Sequence, residues 1–306
     1  MGTFEQPSVV DVVVRLDFDI DPALTMGPLR HGRGDRTIRF EPGVVWRATR
    51  TADGPATLRI SRAAGGVRVR AWGAGAERGA DGVPRLLGGE DDPAALVLPA
   101  GRLRKLAARL AGLRFGRSDA VFESLAPAII EQKVTGFEAQ RTYRGLLTRY
   151  GTPAPGPGGL RLPPEPSVIA ALPYFELHPL GLEQRRAATL IRAAERAPWL
   201  EKAAETAPGA AMARLRSIPG VGAWTAAETA RSALGDPDAV SIGDFHTPSL
   251  VSWVLAGEPR ADDSRMLELL EPYRGQRARL VRILELSGIA PPRYGPRARV
   301  RSIADM

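Results

Sequence analysis

The 306-residue sequence has no cysteine and only three histidines, and each scarcity removes a class of function. Without thiols there are no disulfides, thiolate-held zinc sites, cysteine nucleophiles or cysteine-ligated iron-sulfur clusters. His31, His178 and His246 stand too far apart in sequence to form a metal motif in their place. No apolar run reaches the roughly 20 residues that a membrane helix needs. The first residues, Met1 to Asp19, lack the basic start, apolar stretch and small-residue cleavage site of a secretory signal. The expectation is a cytoplasmic protein with no membrane partner.

What the chain does have is positive charge. Lys and Arg number 42 against 34 Asp and Glu, a net charge of +8 that suits a polyanionic partner such as nucleic acid or, more blandly, a solvated surface. The excess is uneven: residues 101 to 150 carry ten basic and four acidic side chains, and residues 274 to 306 carry eight and two, so each stretch nets +6. The tail from Arg293 to Arg301 is basic enough to follow a phosphate strand.

Short segments of alternating apolar and polar residues open the chain: Val9 to Leu16, Thr37 to Phe40, Val44 to Thr49, Ala56 to Ser61 and Val67 to Trp72. Alternation of this kind puts one face of a strand against a core, and the intervening Gly and Asp clusters supply turns. After the Gly-rich segment 73 to 89 the spacing becomes helical, over Arg102 to Leu110, Ala120 to Gln132, Phe137 to Tyr150 and Leu182 to Arg196, then with short breaks to Leu286. The run from Thr152 to Gly159 reads as a linker by composition. The fold class is α+β: an N-terminal antiparallel β-sheet domain (1–90) followed by a mainly α-helical region (91–306).

The most specific segment is Leu215 to Ala226, in which Pro219, Gly220, Val221 and Gly222 join two amphipathic helices. Glycines there permit positive φ and close approach, so consecutive N–H groups at the next helix's start can face a phosphate. Ile218 and Val221 are expected to brace the bend. Beyond that helix, which Gly235 can terminate, a loop leads to Asp244; Thr247 as N-cap and Pro248 in the first turn would place this aspartate near a helix's positive end, which favours the ionised carboxylate.

The hairpin at 215–226, with Gly243-Asp244-Phe245 following twenty residues after Trp224, resembles the helix-hairpin-helix DNA glycosylase superfamily, and within it the AlkA type of 3-methyladenine DNA glycosylase. The helical segment Phe122 to Tyr150, with Ile129-Ile130-Glu131-Gln132 before Val134, resembles the segment that carries that type's lesion-probing loop. Leu180 to Ala188 resembles one of its helix starts, and Glu271 to Arg277 resembles a late helix of that type. The resemblance implies duplex DNA with a damaged base as partner and Asp244 as the catalytic carboxylate, stabilising an oxocarbenium-like sugar as the base departs. One carboxylate suffices because an alkylated purine is a good leaving group.

By the same resemblance, Trp224 stands where strand-cutting relatives carry a Schiff-base lysine, so no lyase activity is expected. Trp224 either lines the base pocket or packs its helix. Phe245, Glu228, Arg282 and Tyr273 complete the expected pocket, with Trp253 as a further candidate wall. Gly220, Val221, Gly222, Ala223, Thr225, Gln132 and Lys133 are the expected DNA contacts. The main-chain carbonyls of Arg216, Ile218 and Val221 match positions that hold a Na+ or K+ in the superfamily; no other cofactor is expected, and the chain is expected to act as a monomer. His246 either touches the site or caps the helix.

Three positions depart from the AlkA type: Lys133 replaces an apolar plug, Glu228 an aromatic, and Arg282 a base-stacking tryptophan. Beside the leading reading, a monofunctional alkylpurine glycosylase of base excision repair, these departures admit two others. One is a non-catalytic DNA-binding protein on the same fold; the other is a glycosylase for an oxidised or deaminated base.

Overall fold

A computed structural model describes residues 9–292; the basic tail from Arg293 lies outside the described residues. Five antiparallel strands form one sheet in the order β1-β5-β4-β3-β2: β1 Val9–Arg15, β2 Ile38–Glu41, β3 Val44–Thr51, β4 Gly54–Ala63 and β5 Gly66–Trp72. All five expected strands are present, shifted by two residues at most, because period-2 alternation leaves one register that buries the apolar face. That face, with Val45, Leu58, Ile60, Val67, Val69 and Ala71, packs on helix α1 (Ala76–Asp81) and on Met26, Leu86 and Leu87.

The helical part contains α2 (Arg102–Arg109), α3 (Val121–Ile130), α4 (Gly136–Tyr150), α5 (Gln184–Glu195), α6 (Pro208–Arg216), α7 (Ala223–Thr229), α8 (Thr247–Ala256), α9 (Asp263–Leu270) and α10 (Arg277–Leu286). A capping box starts α4. The Thr135 hydroxyl accepts the Glu138 N–H at 3.3 Å and the Glu138 carboxylate accepts the Thr135 N–H at 2.8 Å. The largest core lies around α3, whose apolar residues are buried on every side among α4, α5 and α7. A separate core joins α8, α9 and α10 through Val251, Met266, Leu270, Leu280 and Leu284.

The Pro- and Gly-rich stretch from Thr152 is not the linker its composition suggests. Thr152–Pro153 pairs with Arg161–Leu162, and the intervening loop lies on the sheet's second face. Gly156 has φ +76° and sits so close to Trp72 that a Cβ would fall 2.5 Å from the indole ring. Only glycine meets both conditions. The sheet is also tied to α3: Glu123 accepts the Thr49 hydroxyl at 2.7 Å and the Arg50 N–H at 2.6 Å, and pairs with Arg47 at 3.4 Å.

One buried ion pair fastens the chain after the sheet region to the last helix. The Arg279 guanidinium bonds the Asp91 carboxylate, and both side chains are at most 3% exposed. Asp91 also accepts the Phe115 N–H at 2.8 Å, and Arg279 donates to Gln276 at 2.6 Å and lies over the Phe115 ring. Removing one partner strands the other charge in a low-dielectric interior. Asp91→Ala is therefore expected to lower stability by about 3–5 kcal/mol, read as a shift of the urea midpoint; an unchanged midpoint would show the pair to be energetically neutral.

Candidate active site

The hairpin is built from the end of α6 to the start of α7. Ser217 closes α6, and the Val221 N–H donates to the Ile218 carbonyl at 2.9 Å across the bend. Ile218 and Val221 are buried, bracing the turn as their apolar character suggests. Gly220 has φ +99°, and a Cβ there would lie 2.0 Å from the Thr189 hydroxyl. Gly222 differs from expectation: its backbone is extended, with φ −89° and ψ −174°, and a Cβ would meet open space. Its lack of a side chain keeps the approach to the helix start clear rather than relieving strain.

The first intrahelical bond of α7 runs from the Ala226 N–H to the Gly222 carbonyl. The N–H groups of Ala223, Trp224 and Thr225 precede it and carry the partial positive charge of a helix start. Gln132, after α3, reaches across to this bend, and its amide donates to the Gly220 carbonyl at 3.0 Å and to the Thr225 hydroxyl at 2.7 Å. The expected DNA contacts are thus brought together, with one correction. The Thr225 side chain is buried and holds Gln132, so only its backbone can face a ligand. Lys133 is exposed in the left-handed region at φ +54°. Arg192, which nothing in the local sequence marks, donates from α5 to the Pro219 carbonyl at 3.3 Å.

Oxygen donors suited to a cation lie at the same bend. Among the described residues the carbonyls of Arg216 and Val221 accept no main-chain hydrogen bond across the turn, while that of Ile218 accepts the Val221 N–H. Arg216 ends α6, so its carbonyl lies at that helix's negative end, and carbonyl oxygens are donors of the kind a hard cation takes. No cluster of three or more acidic, histidine or cysteine side chains arranged for a metal exists among the described residues.

Asp244 lies half-buried between α7 and α8. Its Oδ1 accepts the His246 N–H at 2.8 Å, the Thr247 N–H at 2.7 Å and the Thr247 hydroxyl at 2.8 Å. Its Oδ2 accepts the Trp224 indole N–H at 3.2 Å. Burial alone would push this carboxyl up; the Thr247 and His246 amides, the Thr247 hydroxyl and the indole outweigh it and hold the pKa below the ordinary aspartate value. The expected cap is corrected accordingly: His246 is the cap residue, with no capping bond from its own side chain, Thr247 is the first residue of α8 and Pro248 its second, and Asp244 two residues earlier accepts the His246 and Thr247 N–H groups. Gly243, at φ +92°, sets the turn and donates its N–H to Asp263 at 3.0 Å.

The other expected pocket residues separate into three groups. Glu228, one turn along α7 from Trp224, joins a polar network in which its Oε1 accepts the Ser241 hydroxyl and Arg231 at 3.0 Å. Arg231 reaches Glu285 at 3.4 Å, and Arg282 reaches the same carboxylate at 3.1 Å. Burial disfavours the Arg231 charge, but Glu228 and Glu285 outweigh it and raise its pKa. Arg231 and Arg282 line a recess of about 20 Å³ with Thr25, Pro28, Leu29 and Phe115, and the buried Arg282 Nε has no partner there.

Tyr273 packs against the core of α8–α10 instead of a pocket, and Trp253 is half-buried on α8. Phe245 is 88% exposed, its ring edge-on to His246, so it walls nothing. The flanking Gly243 turn and the His246 amide bond to Asp244 direct it outward. The i,i+3 pairs Glu228–Arg231 and Arg282–Glu285 are legible in sequence, whereas the links from Ser241 to Glu228 and from Arg231 to Glu285 join separate segments and carry no local signal.

The antiparallel sheet, the helical body and the hairpin together form a fold shared with solved DNA glycosylases. No protein-family model matches the sequence, and no curated protein matches it. Solved structures do. A 3-methyladenine DNA glycosylase from Archaeoglobus fulgidus superposes with a TM-score of 0.72 at 21% identity, over 91% of this chain and 98% of that one. An 8-oxoguanine glycosylase/lyase from Clostridium acetobutylicum gives 0.69 at 14% identity, over 93% and 99%. The Schizosaccharomyces pombe 3-methyladenine DNA glycosylase, bound to abasic DNA, gives 0.51 at 17% identity, over 64% and 96%. Among the described residues no helix is long and apolar enough to cross a membrane.

A folded-state pKa below the unfolded one means that Asp244 stabilises the fold above the ordinary aspartate range, and that this contribution disappears as pH falls through the lowered value. Trp224→Phe deletes the indole donor and should move the Asp244 carboxyl resonance to a higher titration midpoint by NMR. An identical midpoint in both proteins would mean that the indole bond contributes nothing to the charge state.

Proposed function

We propose that the protein is a monofunctional DNA glycosylase of base excision repair, hydrolysing the N-glycosidic bond of an alkylated purine flipped out of duplex DNA. The observation that carries this reading is the pairing of an ionised Asp244 with the donor-lined hairpin, joined through Trp224. The N–H groups of Gly222 to Thr225 grip a phosphate beside the target nucleotide. The Gln132–Lys133 loop occupies the gap left in the stack, held in place by the Gln132 amide. Asp244 Oδ1 is saturated by capping bonds, so Oδ2 is the oxygen that faces the developing positive charge of the sugar and orients the attacking water.

Trp224 has no amine and cannot form a Schiff base, so the product is an intact strand with an abasic site. A monovalent cation at the carbonyls of Arg216, Ile218 and Val221 supplies positive charge toward the phosphate when bound. The chain acts as a monomer in this reading.

One observation favours a second lesion class. Glu228 uses Oε1 for both of its bonds, and its Oε2 accepts none among the described residues. A free carboxylate oxygen one turn from Trp224 suits a base that presents an N–H edge, as oxidised guanine and deaminated adenine do, better than it suits stacking of an electron-poor ring.

Duplexes carrying 7-methylguanine, 3-methyladenine, 8-oxoguanine or hypoxanthine separate these readings when released bases are measured by mass spectrometry. Release of methylated purines that falls by about 10²–10⁴-fold in Asp244→Asn is the expected result. Release confined to 8-oxoguanine or hypoxanthine would transfer the assignment to the second class. Undiminished DNA binding by both proteins with no base released from any duplex would identify a non-catalytic DNA-binding protein.

A further inference from the structure

The sheet face that carries Trp46 and Trp72 holds a feature that the glycosidic chemistry does not use. Its register places one side chain from each of the five strands on a single line: Asp11 opposite Arg70, Arg70 opposite Arg59, Arg59 opposite Trp46, and Trp46 opposite Arg39. The neighbouring rows add Arg68 and Trp72. Their sequence neighbours Ala71, Leu58 and Val45 point into the apolar core, so this line lies on the opposite face. Trp46, Arg59, Arg68, Arg70, Trp72 and Pro157 line a wide, open depression of about 480 Å³.

The arrangement is electrostatically unbalanced. Four guanidiniums, from Arg39, Arg59, Arg68 and Arg70, meet two carboxylates. Asp11 takes Arg68 through two bonds of 2.8 Å and Arg70 at 3.4 Å, and Glu41 takes Arg39 at 2.8 Å. Among the described residues Arg59 joins no ion pair; it donates to the Ser61 hydroxyl at 3.3 Å. It nevertheless stands directly across from Arg70, and like charges at such a pair of positions destabilise a sheet. That penalty is offset when an anion bridges them.

The two indoles say what kind of anion fits. Trp46 and Trp72 stack at 5.7 Å and 15°, with Arg39 and Arg59 over Trp46 and Arg70 over Trp72 at 5.4 to 5.7 Å. Both indoles are less than 10% exposed, covered by the guanidiniums on one side and by Ala48, Leu160 and Leu162 on the other. They are platforms that orient cations, not surfaces for a base to stack on. Arg39 is held by Glu41 and the Gly158 carbonyl and Arg68 by Asp11, so the guanidinium donors left to face a phosphate are mainly those of Arg59 and Arg70. A small anion needs donors converging on one point, whereas these spread across strands about 4.8 Å apart, matching a line of charges.

We infer that the Arg39–Trp46–Arg59–Arg70 face of the N-terminal sheet is a second DNA-binding surface, which grips the phosphates of a strand without reading its bases. It shares no residue with the hairpin and does not depend on the glycosylase reading.

The test is fluorescence anisotropy of a labelled, undamaged duplex against wild type and the Arg59→Thr/Arg70→Thr double variant over a series of NaCl concentrations. Threonine suits strands, and removal of a like-charge pair should leave the thermal midpoint without DNA unchanged or raised. The variant is expected to bind more weakly, with a log K against log salt slope shallower by about two, roughly 0.9 for each phosphate no longer neutralised. An Arg59→Lys/Arg70→Lys variant keeps the charges and should retain most of the slope. An unchanged slope in the threonine variant, or an equal drop in the lysine variant, would overturn the proposal. Equally tight, Arg59- and Arg70-dependent binding of poly-glutamate would overturn the DNA assignment in favour of an acidic protein.

Discussion

The geometry of the candidate site depends on how the Asp244 carboxylate divides its two oxygens. Oδ1 serves the fold: with three donors it starts α8 and fixes the turn out of Gly243. Oδ2 faces α7, tethered by a single indole bond. The same contacts that position the group keep it charged, because amide, hydroxyl and indole donors together outweigh its burial. Any change that loosens the α8 start therefore alters the charge state of the carboxylate as well as its position, so stability and chemistry are coupled through one side chain.

A second coupling runs through Gln132. The loop after α3 and the bend before α7 are 88 residues apart in sequence, yet a single side-chain amide spans them by binding the Gly220 carbonyl. Thr225 completes the clasp from inside the helix. An element proposed to enter the duplex is thus fixed to an element proposed to hold its backbone, so their separation is set by the fold itself. Preset spacing of this kind reduces the ordering cost of binding.

What the sequence reveals follows the range of the interactions. The five strands are legible because alternation is a local consequence of a sheet with a buried face. The hairpin is legible because Gly220 must adopt a conformation that other residues resist, and Asp244 because it sits a fixed number of residues from a helix start. Asp91 and Arg279 lie 188 positions apart, and nothing near either residue announces the other. The links from Arg231 to Glu285 and from Ser241 to Glu228 are hidden for the same reason. Phe245 and Tyr273 show the converse: an aromatic beside a candidate site suggests a wall, but only packing decides whether it faces solvent, as Phe245 does, or a core, as Tyr273 does.

The stretch from Thr152 to Gly159 bears on how the molecule divides. Its prolines and glycines look like a spacer between bodies, yet they seal the indole face of the sheet, with Gly156 against Trp72 and Gly158 against Trp46. Arg50 reaches from β3 to the Pro163 carbonyl at 3.0 Å and to Glu165 at 2.9 Å, and Arg161 donates its N–H to the Arg36 carbonyl at 2.8 Å. A protease or a fusion joint placed there would not release two independent halves; it would uncover tryptophan and leave the sheet without its lid. The seam of this protein does not lie where its composition is loosest.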